Sequence, residues 1–185
     1  ALFRHVNAIL GNSETGKRLD LEEFQSALNN TQLYADNINI KNSEDSNWER
    51  FVEVIHTLDH LQRLHERCEE DEDRAITARD TPELASECRL LTSTIGEILT
   101  DIEKDDWLHA YQTAKNTGEV IHAKVRPYRA EIMAKIASGA VDANIGTSNL
   151  EAIRWLRRVS RHITRITQHT NASLLAVAAD SKEII

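Results

Sequence analysis

Apolar residues recur at three- and four-residue steps along almost the whole chain, the spacing that gathers them on one face of an α-helix. Six stripes stand out. Leu2, Phe3, Val6, Ile9 and Leu10 form a short first one, and Gly11 with Asn12 can end it as a left-handed cap. Asp20, with Glu23 three residues on, opens a second stripe of Leu21, Phe24, Leu28, Thr31, Ala35 and Ile38. Ser46 with Glu49 repeats that start signal before Phe51, Val54, Ile55, Leu58, Leu61, Leu64 and Cys68, and this third helix runs into the acidic stretch Glu69 to Asp73. Thr81 and Pro82 introduce a fourth with Leu84, Cys88, Leu91, Ile95, Ile98 and Ile102. The fifth carries Trp107, Tyr111, Ala114, Ile121, Val125, Tyr128 and Ile132, with a kink expected at Pro127 and an end at Ser138 and Gly139. Ser148 with Glu151 is read as the start of the sixth, which holds Ile153, Leu156, Val159, Ile163, Ile166, Leu174 and Val177.

Six mostly antiparallel helices joined by short connections bury their stripes as up-and-down bundles, so the fold class is all-α. Periodicity alone leaves open whether they make one bundle or two. Leu61-x-Arg63-Leu64-x-Glu66-x-Cys68 in the third helix reappears as Leu156-x-Arg158-Val159-x-Arg161-x-Ile163 in the sixth, each closing a run of three. The repeat implies two tandem three-helix bundles, 1–75 and 76–185, packed as one domain.

Composition removes rivals to this reading. Six Gly, two Pro and 5% aromatic residues in 185 leave little material for a sandwich or barrel. A net charge of -8 opposes phosphate backbones, so no nucleic-acid partner is expected. Arg154, Arg157, Arg158, Arg161 and Arg165 nevertheless gather on one helix, as a solvated face or as a meeting place for an acidic partner. Cys68 and Cys88 sit within apolar stripes, as small hydrophobes in a reducing compartment would. No apolar run approaches the roughly 20 residues that cross a bilayer.

Candidate chemistry is sparse. Gly11 to Arg18 nearly spells a phosphate-cradling loop, but Arg18 stands where the magnesium-binding hydroxyl belongs and no strand precedes it, so a helix connection is expected. His56 and His60 share a helix face one turn apart, as ordinary polar residues or as two of the ligands of a metal. His162 and His169 offer a weaker signal. No Ser, Cys or His stands in a spacing that suggests an activated nucleophile, and no catalysis is expected. Trp48, Trp155 and Leu33 lie outside the stripes and are candidates for a homodimer face.

At the two repeated stretches the chain resembles the PhoU family of phosphate-response proteins, a tandem of two three-helix bundles. The residues are Leu61-Gln62-Arg63-Leu64-His65-Glu66-Arg67-Cys68 and Leu156-Arg157-Arg158-Val159-Ser160-Arg161-His162-Ile163. The resemblance implies that the positions which line multinuclear metal clusters in that family are Gln62 and Glu66 here, and Arg157 and Arg161 in the second unit. Cations in the second unit repel a metal ion. The expectation is the fold without a resident metal or other cofactor, with Glu66, Glu70, His56 and His60 as the residues that iron or zinc would use. Glu66 and Arg161, equivalent in the two units, are expected to pair. Such altered units resemble the cytoplasmic tail of bacterial sodium-dependent phosphate cotransporters, and the absence of an initial Met fits a piece of such a protein. That implies a regulatory domain on the cytoplasmic side of the inner membrane, partnered by the transporter part of the same polypeptide. A free-standing PhoU-type regulator and a metal-binding helical bundle are the alternatives.

Overall fold

In a computed structural model the backbone is described for residues 1–12, 14–38, 46–69 and 72–183, and side chains as far as 176 apart from 46. Seven α-helices account for most of it: α1 (Leu2–Ile9), α2 (Leu21–Asp36), α3 (Ser46–Glu69), α4 (Glu72–Asp80), α5 (Ala85–Glu103), α6 (Trp107–Ala137) and α7 (Ala143–Glu183). A 3-10 turn, Pro82–Leu84, leads into α5. No strand occurs among the described residues. The protein is all-α.

Several ends follow the chemistry read from the sequence. Asp20 accepts the Glu23 N–H at 3.0 Å ahead of α2, which satisfies one of the amides left open at a helix start. Gly11 takes φ +83° after α1 and Gly139 φ +73° after α6, the left-handed conformation that glycine adopts without a Cβ penalty. After Gly11 and Asn12, residues 14–18 form a connection folded back on α1, with the Lys17 N–H on the Arg4 carbonyl at 2.9 Å. His5 Nδ1 receives the Leu19 N–H at 3.0 Å, and His65 Nε2 reaches the Leu21 carbonyl at 2.9 Å. Two buried imidazoles thus pin the entry to α2 onto α1 and α3.

Three expectations need correction. The segment after the acidic run is a helix of its own, so the described residues form seven helices rather than six. Glu72 and Asp73 occupy the first turn of α4, where negative charge faces the positive end of the helix dipole. Its inner face is only Ala75 and Ala78, both fully buried, and side chains that small make no visible stripe. The last helix begins at Ala143 rather than near Ser148, because Asp142 accepts the Asn144 N–H at 2.8 Å. Trp155, expected on a dimer face, is 1% exposed.

The apolar faces meet in one continuous core drawn from α1, α3, α4, α5, α6 and α7, with Leu64, Leu84, Ile95, Ile98, Ile121 and Leu156 fully enclosed. The division expected between residues 75 and 76 falls inside α4. Helix α7, 41 residues long, is the common partner: α3 and α6 lie along it and α4 crosses it. Helix α2 is the outlier, burying only Leu28 and Ala35 among its own residues and resting on α3. Cys68 and Cys88 are unpaired thiols inside the core, and burial pushes both up to about 12.

Leu156 is fully buried and Leu108 is 52% exposed, so the two leucines should respond very differently to truncation. Leu156→Ala is expected to cost about 2–5 kcal/mol in urea unfolding. Leu108→Ala should stay within about 0.5 kcal/mol.

Candidate functional site

The two repeated stretches face each other. Glu53 meets His169, His60 meets His162 and Arg67 meets Trp155, so each two-turn step up α3 matches a two-turn step down α7. The helices are antiparallel and in register over this seam. Trp155 is buried with its indole N–H on the Arg67 carbonyl at 2.9 Å, which joins a large apolar ring to a main-chain acceptor on the other helix. When Leu61–Cys68 is laid on Leu156–Ile163, His60 falls on Trp155 and Arg67 on His162. The His60–His162 and Arg67–Trp155 contacts are therefore the same contact viewed from opposite helices. Leu64, Cys68, Leu156, Val159 and Ile163 fill the seam's apolar side.

On its polar side the seam gathers four histidines. His56 and His60 come from α3, His162 and His169 from α7, with ring centroids 5.0 Å apart for His56–His169 and 5.5 Å for both His60–His162 and His60–His169. The Nδ1 atoms of His60 and His162 are 3.3 Å apart, a hydrogen bond that needs one nitrogen to donate and the other to accept. Two protonated rings cannot make it. Burial lowers His162 to about 4, helped by His60, Arg161, Arg63 and Arg67. Burial also lowers His60, against the opposing pull of Asp59. His169 Nδ1 sits 2.6 Å from Glu53 Oε2.

Beside the histidines lies a cleft of about 630 Å³, rimmed by Arg63, Arg67, Arg158 and Arg161 with Asp59 and Glu66. Arg63 donates to Asp59 at 2.9 Å and holds that carboxyl below its ordinary range. Glu66 and Arg161 line the same cleft without the expected ion pair, the Glu66 carboxylate lying 3.7 Å from Arg67 instead. The facing pairs supply the reason: Arg67 stands opposite Trp155, so Glu66 and Arg161 are offset along the seam by more than a turn. Arg158 and Arg161 have no carboxylate partner among the described residues.

The other motif positions have structural work. Gln62 exchanges reciprocal amide hydrogen bonds with Gln25 of α2, both 3.0 Å. Leu61 and Leu156 pack in the core, and Arg157 points to the opposite flank of α7, toward α6. Among the described residues no three His, Cys, Asp or Glu side chains are grouped to hold a metal ion, and Glu70 lies outside them. Four guanidinium groups give the cleft a field that suits an anion or an acidic side chain. Sequence spacing paired His56 with His60 and noted His162 and His169 separately, but not that the two sets meet, because α7 is joined to α3 only through tertiary packing.

No family model, curated protein or solved structure matches the chain.

The lowered His162 ties stability to pH. Its neutral form is favoured in the folded state, so its contribution is complete above the ordinary histidine value of 6.5 and is lost as pH falls from there toward about 4. The loss should be on the order of 1–2 kcal/mol after allowance for partial exposure to water. Melting temperatures across that window should fall more steeply for the native chain than for His162→Gln. Parallel curves for the two proteins would contradict the assignment.

Proposed function

We propose that the chain is a PhoU-like regulatory domain, two tandem three-helix units, α1–α3 and α5–α7, joined through α4 and packed as one body. It acts on the cytoplasmic side of the inner membrane, modulates phosphate transport by a sodium/phosphate cotransporter to which it is attached, and catalyses no reaction of its own. The observation that carries the reading is the exchange of equivalent contacts across the α3–α7 seam. A duplicated unit that docks on its copy through the third helix of each produces such a seam, since every contact then has an image. The resemblance of Leu61–Cys68 and Leu156–Ile163 to the family's signature lies at that place.

The altered ligand positions favour a domain that works by packing and charge. Gln62 is occupied with α2, and Arg157 and Arg161 carry positive charge where a metal cluster would need carboxylates. No described helix is long and apolar enough to cross a membrane, so in this reading transport belongs to another part of the polypeptide. The first unit is the slighter one. Its α1 has eight residues and leans on α5 as well as α3.

The test is sodium-dependent phosphate uptake by the full-length polypeptide in cells stripped of other phosphate importers. Leu64→Asp with Val159→Asp puts two carboxylates into the seam and should change the uptake rate or half-saturating phosphate concentration by about fivefold or more at equal membrane abundance. Unchanged uptake, or a parent sequence without transporter spans, would overturn the proposal.

A further inference from the structure

The flank of α7 that faces away from the histidines forms a second groove, against α6, with a volume of about 410 Å³. Its floor is made of small residues. Gly118 lets the helices approach closely, since a Cβ there would stand 3.1 Å from Thr164 Oγ1, and Thr164 donates across to the Ala114 carbonyl at 3.0 Å. Larger, charged side chains rise on either side of this floor. Arg157, Arg161 and Arg165 follow one another at one-turn steps along α7, and Lys115 and His122 come from α6. Glu119 is the one carboxylate in the lining.

These cations are not spent on one another's neighbours. Among the described residues Arg157, Arg161 and Lys115 have no ion-pair partner, and Arg165 is hydrogen-bonded only to the neutral Gln168, at 2.7 Å. Some arginines elsewhere find carboxylates, as Arg4 does with Glu103, Arg18 with Glu72 and Arg79 with Asp80, while Arg89, Arg126 and Arg129 have none among the described residues; what sets the groove apart is that its unpaired cations line one cavity. In a protein of net charge -8, a groove with three arginines and a lysine that have no carboxylate partner among the described residues runs against the molecule's own balance. Glu119 offsets only part of this charge, and an anion held between the cations would relieve their mutual repulsion.

We propose that this α6–α7 groove is a binding site for a small polyphosphate-bearing anion, of the inorganic polyphosphate or nucleoside triphosphate class. Three guanidinium groups in line along about 12 Å of helix present forked donors to successive phosphates. The cavity has the size of a small-molecule pocket rather than of a macromolecular surface. A long nucleic acid would also meet the chain's distant carboxylates, whereas a short ligand in the groove is screened from them beyond a Debye length of about 8 Å. Tyr111, the first lining residue along α6, adds an aromatic face at which a base can stack. The site does not depend on the regulatory reading above, and either can fail alone.

Calorimetric titration of the 185-residue chain with sodium triphosphate, ATP and inorganic phosphate tests it. Triphosphate and ATP should bind, and affinity should fall steeply with added salt. Arg161→Gln and Lys115→Gln, both exposed changes with folding checked by circular dichroism, should each weaken binding about tenfold or more. Arg158→Gln, which faces the other cleft, should leave it unchanged. Equal affinities for the two ligands would make the phosphate chain the recognised group; tighter ATP, lost in Tyr111→Ala, would assign the base to the aromatic end. No binding of either at low salt, or equal loss in Arg158→Gln, would overturn the site as diffuse attraction to a basic face.

Discussion

Burying both flanks of one long helix is the constraint from which the rest of this structure follows. Helix α7 spans 41 residues, about 60 Å at the rise of an α-helix, and no single neighbour covers it. Helix α3 takes one flank, α6 another, and α4 closes a gap with two alanines. Each fully enclosed leucine or isoleucine contributes about 1.5–3 kcal/mol. The antiparallel register of α3 on α7 then decides which polar residues meet. The histidine cluster, the indole hydrogen bond and the arginine-rimmed cleft are its by-products.

Charge is arranged along the same axis. The chain is acidic as a whole, yet α7 carries Arg154, Arg157, Arg158, Arg161 and Arg165. Arg154 is held by Glu151. The others open onto two clefts on opposite flanks, and Arg161 borders both. A helix whose buried edge is fixed by packing has no freedom to turn its cations elsewhere, so positive potential is focused into the grooves beside it. Any anion held in one cleft changes the field felt in the other through that shared side chain.

Much of the architecture was legible because helical periodicity is local. The stripes of α1, α3, α5 and α6 lie where the apolar spacing puts them, the α2 stripe buries only Leu28 and Ala35, and the Asp20 cap, Gly11 and Gly139 behave as their chemistry requires. What failed to show was whatever depends on small or distant residues. Ala75 and Ala78 bury completely without an apolar signature, and the Ser148–Glu151 pair imitates a helix start inside a helix already begun. Trp155 reads as an outsider to its stripe because α3 and α6 approach α7 from different directions and widen its buried face. The histidine partners stand about a hundred residues apart in sequence, and no local pattern encodes their register.

The two enclosed thiols have a further consequence. A cysteine held as the neutral thiol is a poor nucleophile, so in the closed molecule Cys68, with no exposed surface, is shielded from oxidants and alkylating reagents, and Cys88, at the edge of a cleft beside Arg79 and Arg89, is slowed by the burial that keeps its thiol protonated. They lie on different helices, one against the α3–α7 seam and one on α5. Cys68 therefore becomes reactive only when its part of the interior breathes, and Cys88 with less opening. The chain carries two clocks of local opening, one at the α3–α7 seam and one on α5.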